Sequence, residues 1–238
     1  MANAQAVSDA LDIHELLRQW EPHKLLSAPP EKPIRLWSRG GCGVWIDDSW
    51  GPAVPYPPVD HDHGAKNHGY ARVKGDPDAV DLIPEAQDWP ELQDFLRAVN
   101  AADSPIETVG CEKAVLPIGD AKALFPPDMD GGPPTVKLGS YVDMMFTDTP
   151  LNDQPENILL LCTRLAPAIE GCGDWCNDVT FALQRFRFVP GTTAPWGLML
   201  HMTSYGRDEG ETRRLWGVTL GRLSKRIGSL PKALRWTP

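Results

Sequence analysis

Long hydrophobic runs are missing from this sequence. The longest, ILLLC at 158–162, has five residues, whereas a membrane-spanning helix needs roughly 18 or more apolar residues. The first residues, MANAQAVSDALDIHELL, contain neither a basic start nor an apolar stretch, so they lack the pattern of a signal peptide. We therefore expect a protein without a membrane segment.

Cysteine is scarce, and its number is odd. The five cysteines among 238 residues show no spacing typical of a disulfide framework. Disulfides persist mainly in oxidising compartments, so unpaired thiols fit a reducing one. The sequence therefore predicts a cytoplasmic protein with free cysteines.

The common phosphate-binding and nucleophile motifs are also absent. The sequence contains no G-x-G-x-x-G, no P-loop and no G-x-S-x-G elbow, and Ser140 lies in LGSYV, which does not complete the last of these. These absences argue against a nucleotide-binding fold and against an α/β-hydrolase. Other nucleophilic triads stay open, so the sequence does not decide whether the protein is an enzyme.

Positive charge is scarce outside the C-terminus. The net charge is −9, and residues 222–238 contain five basic residues and no acidic one, which leaves 18 basic and 32 acidic residues elsewhere, a net charge of −14. Nucleic-acid binding needs a contiguous basic surface, so we expect it at most through this tail. The apolar residues of the tail predict instead that it packs on the protein's own core: Leu223, Ile227, Leu230, Leu234 and Trp236.

Proline and tryptophan, by contrast, are abundant. The 24 prolines cluster in stretches such as SAPPEKP, GPAVPYPP and FPPDMDGGPP. Such stretches indicate ordered loops, including one over residues 47–87, rather than a helical bundle. The 9 tryptophans are expected to anchor the core, because a large ring buries much apolar surface.

Three elements are predicted in the first half of the chain. Residues 6–20 have the spacing of an amphipathic helix. Two short apolar stretches within 34–46 flank a glycine-rich turn, which indicates a β-hairpin. Residues 89–100 predict a second helix that begins with a capping box of Asp88 and Glu91.

The second half indicates a sheet. Apolar and polar residues alternate along 136–146 and 196–205, as in strands with one buried face. Further strands are predicted at 113–118, 157–165, 179–189 and 213–223. We expect the last of them to form a hairpin with 196–205. The predicted fold is α+β, with a mainly antiparallel β-sheet in the C-terminal half, a few helices and long Pro-rich loops.

We expect a single domain, 1–238, in which an N-terminal helical and loop subregion, 1–110, packs on a C-terminal sheet, 111–238. The chain is long enough for a core that needs no disulfides or metal to hold it together. The strand assignments place four side chains in that core: Phe146, Leu160, Leu200 and Val218.

The stretch VDHDHGAKNHGY contains His61, His63 and His68. Two histidines at i and i+2 point to the same side of an extended chain, and a third would complete a three-ligand site with an open position. The sequence therefore predicts a site for zinc or iron, with His201 as a candidate further ligand. The alternative is a solvated polar loop, because short His-rich tracts are a weak sign of metal binding.

Two segments, 35–48 and 164–178, share Arg-Leu followed by Gly-Cys-Gly-x-Trp, as a duplicated turn that presents two thiols would. If these turns meet, Cys42, Cys172 and Cys176 form an alternative ligand set of thiols. The alternative is two unrelated glycine turns, each with a buried thiol and an anchoring tryptophan.

Three functions remain from the sequence. We expect first a non-catalytic binding or assembly protein that acts through protein–protein contacts, with a protein partner or a second copy of itself. The first alternative is a metal-dependent enzyme, a hydrolase or an oxygenase, that uses His61, His63 and His68. The second alternative is a nucleic-acid-associated protein that uses residues 222–238.

Overall fold

The computed structural model describes residues 11–23, 30–39, 41–60, 66–119, 132–169, 177–188, 194–235 and 237. Its centre is a six-stranded sheet in the order β1-β2-β7-β8-β6-β5, and β3 and β4 form a separate pair. The strands are β1 Ile34–Arg39, β2 Cys42–Val54, β3 Val59–Asp60, β4 Lys66–Asn67, β5 Ile106–Pro117, β6 Val136–Phe146, β7 Asn177–Phe188 and β8 Trp196–Gly206. Neighbouring strands of the large sheet are antiparallel, except that β2 and β7 are parallel.

Helices cover one face of this sheet. They are α1 Ile13–Trp20, α2 Pro90–Asn100, α3 Pro155–Leu165 and α4 Glu209–Ile227. Helix α4 lies against β6 and β8 with α2 beside it, whereas α3 lies against β7, β8 and α1. The described chain is therefore a helix layer on a sheet layer, which confirms the α+β class and the mainly antiparallel sheet.

The main core lies between these two layers. Alternate residues of β6 and β8 point into it, among them Val142, Phe146 and Leu200, as the period-two pattern predicts. Burying a side chain of this size stabilises the fold by about 1.5–3 kcal/mol. Phe146 and Leu200 thus lie in the predicted core.

Residues 157–165 belong to a helix, so the strand predicted there is wrong. Pro155 stands at the start of α3, where a missing N–H costs nothing. The helix lies between the sheet, α1 and α4, and it buries residues on several sides, including Leu160. A short apolar run that is buried all round has the same pattern in a strand and in a helix.

Residues 213–223 belong to helix α4, so the predicted strand and its hairpin with β8 are also wrong. The polar stretch before them is a helix start: the Asp208 carboxylate accepts a hydrogen bond of 2.8 Å from the Glu211 backbone N–H. The buried residues recur at helical spacing, with Trp216 and Leu220 one turn apart. Val218 lies on the opposite side and is 47% exposed, so its predicted place in the core is wrong.

The sheet is predicted in the C-terminal half, but it also includes strands from the N-terminal half. The hairpin expected within 34–46 is present as β1 and β2, but it joins the large sheet through β7. Strand β2 continues to Val54, into the part predicted as loop. One hydrophobic cluster includes residues from both ends of the described chain, from Leu11 to Leu234. That the chain forms a single domain stays a prediction.

The predicted second helix is present, but it begins differently. Asp88 has a positive φ of 63° and is not the N-cap residue. Trp89 takes that position and forms no side-chain hydrogen bond with the first turn. Glu91 instead forms an ion pair with Arg213 of α4, 3.0 Å between Oε2 and Nη2. The carboxylate thus joins two helices rather than closing a capping box.

The C-terminal tail packs on the core through its apolar residues. Leu223, Ile227 and Leu234 are buried and Leu230 is partly buried, whereas Trp236 lies outside the described residues. This confirms the predicted packing for the residues that can be seen. Among the described helices, none has the length and apolar character needed to cross a bilayer.

Candidate functional site

The face of the sheet opposite the helices carries most of the polar side chains. Strand register places Tyr141, His201, Thr180 and Gly43 in one row across β6, β8, β7 and β2. Because side chains alternate between the two faces of a sheet, the neighbours two residues along share this face. We call this surface the helix-free face.

A shallow depression of about 560 Å³ lies on the helix-free face over β2, β7 and β8. Its lining includes Thr180 and Thr203, which have short side chains, and the larger Trp45 and His201. The Trp45 ring lies over Gly43, where a Cβ would be 2.5 Å from the indole Nε1. Asp178 also lines this depression. We call it the trough.

Charged groups of both signs surround the trough. The Arg35 guanidinium lies 5.9 Å from the centre of the Trp45 ring, within the range of a cation–π contact. The Tyr205 hydroxyl donates a hydrogen bond of 3.1 Å to Asp178. His201 is exposed here, yet partial loss of hydration lowers the pKa of its imidazole. The negative charges of Asp178 and Asp47 act in the opposite direction and raise this pKa.

A buried carboxyl group lies on the same face, one row away from the trough. Asp143 of β6 pairs with Gly110 of β5 on one side and Met199 of β8 on the other. It is 4% exposed, and its Oδ1 has no hydrogen-bond partner within the described part of the chain. Burial raises the pKa of Asp143 to about 7, and the charge of Asp47 adds to this shift.

A second apolar cluster explains why this part of the face is buried. Val54, Val109, Met145 and Phe186 pack together there, with Tyr70 partly covering them. Beside the cluster lies Gln184, 1% exposed, whose Nε2 donates a 2.7 Å hydrogen bond to Asp47. Polar groups in this region are therefore desolvated by residues that lie on the sheet.

Two glycines make room for the ring of Phe186. A Cβ on Gly51 or on Gly197 would lie 2.1 or 2.2 Å from a carbon of that ring. The two glycines belong to β2 and β8, the strands on either side of β7. Phe186 thus lies across both neighbours, in the second apolar cluster, whereas Phe181 and Leu183 of the same strand belong to the main core.

A pocket of about 260 Å³ lies beside Asp143, over strand β5. It is lined by Gly110, Cys111, Tyr56, Glu85 and His68, together with apolar residues. Burial raises the pKa of Cys111 to about 12, and the charges of Glu85 and Asp143 contribute in the same direction. We call this the Gly110 pocket.

The predicted histidine site falls largely outside the described residues. The chain on either side of 61–65 pairs as β3 and β4, but His61 and His63 themselves are not described. His68 is exposed and lines the Gly110 pocket, whereas His201 lines the trough. In the described ranges, no three His, Cys, Asp or Glu side chains form a group that could hold a metal ion. The three-histidine site stays a prediction.

The thiol set is also only partly described. Cys42 is half-buried at the start of β2, and Cys172 and Cys176 lie outside the described residues. The visible ends of the two repeated segments differ, because Leu36 lies in a strand and Leu165 ends a helix. These ends therefore give no support to a duplicated turn.

Ser140 is a structural residue. It is 7% exposed and accepts a hydrogen bond of 2.8 Å from Trp216 Nε1, on the helix side of the sheet. Elsewhere, the basic residues Arg222, Lys225 and Arg226 line a surface depression of about 460 Å³ near the end of α4. The tail thus presents positive charge outward while its apolar residues face the core.

Sequence reasoning missed Asp143 and the Gly110 pocket. A signal for Asp143 was present, since the stretch VDMMF is apolar in both phases of the alternation except at this residue. Comparisons of the chain with protein families, with curated proteins and with solved structures gave no match.

Proposed function

We propose that this is a non-catalytic binding protein and that a segment of a partner protein docks in the trough. The observation that carries the proposal is a depression on the helix-free face in which the short side chains of Thr180 and Thr203 lie beside the larger Trp45 and His201. The short side chains let a second polypeptide approach the sheet closely, while the larger residues provide contact area.

The composition of the trough supports a protein partner. Tryptophan and arginine are the residue types most enriched among those that dominate binding energy at protein interfaces, and Arg35 lies over Trp45. Asp178 provides the opposite charge at another side. Charges of both signs favour a specific polar partner over a purely apolar ligand.

The described residues offer little support for catalysis at this place. Neither His68 nor His201 forms a side-chain hydrogen bond with another described residue, whereas a catalytic base is normally held within hydrogen-bonding reach of its partner. Ser140 is buried on the other face. The binding proposal needs no such pair.

A substitution in the lining of the trough tests the proposal. Thr203→Arg places a long charged side chain in the trough, and Thr149→Arg makes the same change at an exposed position of a short helical turn elsewhere. Proteins captured from the native cell by the wild type would be identified by mass spectrometry. Light scattering after size exclusion would detect a second copy as the partner.

We expect Thr203→Arg to lose a partner that the wild type and Thr149→Arg retain, with all three proteins folded by circular dichroism. A strictly monomeric wild type that captures nothing reproducibly would contradict the proposal. Equal capture by both variants would show that binding, if present, uses another surface.

A further inference from the structure

The Gly110 pocket has a feature that the trough lacks, a buried acidic group directed at its wall. A side chain on Gly110 would place its first carbon 3.2 Å from Asp143 Oδ2 and 3.5 Å from the Tyr56 hydroxyl. The carboxyl and the hydroxyl therefore both lie close to the space that Gly110 leaves open because it has no side chain. Gly110 itself lines the pocket.

Asp143 lacks the partners that a buried carboxylate requires. A buried charge is strongly unfavourable unless it is paired or hydrogen-bonded. Oδ1 has no partner in the described chain, and the residue is 4% exposed. The other carboxylate oxygen, Oδ2, lies on the Gly110 side. A cationic donor beside Gly110 would pair with the carboxylate through Oδ2, since hydrogen bonds between two charged groups are the stronger ones.

The electrostatics of the pocket favour a cation. Glu85 lines it, is half-buried and forms no hydrogen bond or ion pair with the described residues. The charges of Glu85 and Asp143 both raise the pKa of Tyr56, after the larger effect of burial, which shows that both carboxylates act at this place. Among the described residues that line the pocket, none is a lysine or an arginine. Lys113 is the nearby cation that opposes this field, and its Nζ lies over the Trp89 ring, 4.4 Å from the ring centre.

The size and the walls restrict the ligand further. The pocket holds about 260 Å³, slightly below the common range for small-molecule sites, about 300–1,000 Å³. Its apolar walls include Ala71, Ile83 and Val109. A short alkyl chain fits such walls, whereas a nucleotide or a large ring system does not fit this volume.

We propose that the Gly110 pocket binds a small primary amine in its ammonium form, with the nitrogen held by Asp143 and Glu85 beside the Tyr56 hydroxyl. The alkyl part of the amine packs on the apolar walls. This site is separate from the trough, and the proposal does not depend on the protein partner.

The first test compares three ligands of similar size and different charge. n-Butylammonium, n-butanol and butyrate are titrated into the full-length protein, and binding is followed by chemical shifts of assigned backbone amides. We expect saturable shifts for n-butylammonium that centre on Gly110 and Cys111, with affinity at least about tenfold greater than for n-butanol. Butyrate is expected not to bind. Equal affinity for the ammonium and the alcohol would overturn the proposal, as would the absence of saturable shifts with n-butylammonium.

The second test removes the carboxylate. Asp143→Asn keeps the shape of the side chain and should weaken n-butylammonium binding by at least about tenfold, whereas Asp148→Asn, at an exposed position, should leave it unchanged. Glu85→Gln changes the half-buried carboxylate instead. The test therefore remains possible if Asp143→Asn does not fold. Unchanged affinity in both pocket variants would refute the assignment. Thr203→Arg should bind the amine like the wild type, which separates this site from the trough.

Discussion

Replacing Asp143 with asparagine should alter the pH dependence of stability in a predictable way. The residue is 4% exposed, and burial, with the charge of Asp47 as a second cause, raises its pKa to about 7. An aspartate in an unfolded chain titrates near pH 4, about three pH units lower. Between these two pH values the folded protein binds more protons at this site than the unfolded chain does.

The sign and size of the effect follow from this difference. Because the pKa is raised in the folded state, the contribution of Asp143 to stability is complete below the unfolded pKa and is lost as the pH rises through the folded pKa. The full shift corresponds to about 4 kcal/mol. Of this, about 2–3 kcal/mol is lost between about pH 5 and about pH 8. The Asp143→Asn variant does not titrate there, so its stability relative to the wild type should rise by that amount.

Urea unfolding of both proteins across this pH range measures the change. Other titrating groups are common to both proteins and largely cancel in the difference. An unsatisfied amide created by the substitution has a cost that does not depend on pH, so it alters the offset and not the slope. Asp148→Asn makes the same change at an exposed position and serves as the control. A difference between Asp143→Asn and the wild type that stays constant within about 0.5 kcal/mol over the range would refute the reasoning.

Three further predictions concern the core, the glycines and the histidines. Leu200→Ala should lower the free energy of unfolding by about 2–5 kcal/mol, whereas Val218→Ala should change it by less than about 0.5 kcal/mol. Urea unfolding measures both changes. A large loss of stability in Val218→Ala would contradict the exposed position of Val218 on α4. Gly197→Ala places a Cβ 2.2 Å from a phenylalanine ring and should cost about 1–3 kcal/mol by overpacking, which a melting temperature equal to the wild type would disprove. Replacing His61 and His63 together with Ala should abolish zinc or iron content in elemental analysis of untagged protein prepared without chelator, because neutral imidazoles are the expected ligands. A wild type that contains no metal and gains no melting temperature from added zinc or iron would refute that prediction.

Period-two patterns identified the strands that bury only one face. Strands β6 and β8 were predicted from such alternation, and β5 was predicted in part with Pro117 at a sheet edge, where its missing N–H is tolerated. Strands were predicted where the chain forms helices α3 and α4, for a different reason in each case. In α3 the apolar residues occur on several sides, so no period is visible. In α4 the glycines at 217 and 221 interrupt the helical pattern, although Gly217 is needed because a Cβ there would lie 2.8 Å from Glu91 Cγ.

The same logic indicates why the buried carboxyl group could have been suspected while its pocket could not. Where a sheet is covered on both faces, the alternation disappears, as it does near Met145 and Phe186, which belong to the second apolar cluster. A polar residue inside such a stretch is buried whichever way it points, and Asp143 is such a residue. Its neighbours at the pocket, Gly110 and the Tyr56 hydroxyl, come from segments far apart in the chain. Gly110 is placed by strand pairing, and Tyr56 follows the end of β2. Loss of alternation around a charged residue therefore predicts a desolvated group, whereas the register of β5 on β6 determines that Gly110 lies beside it.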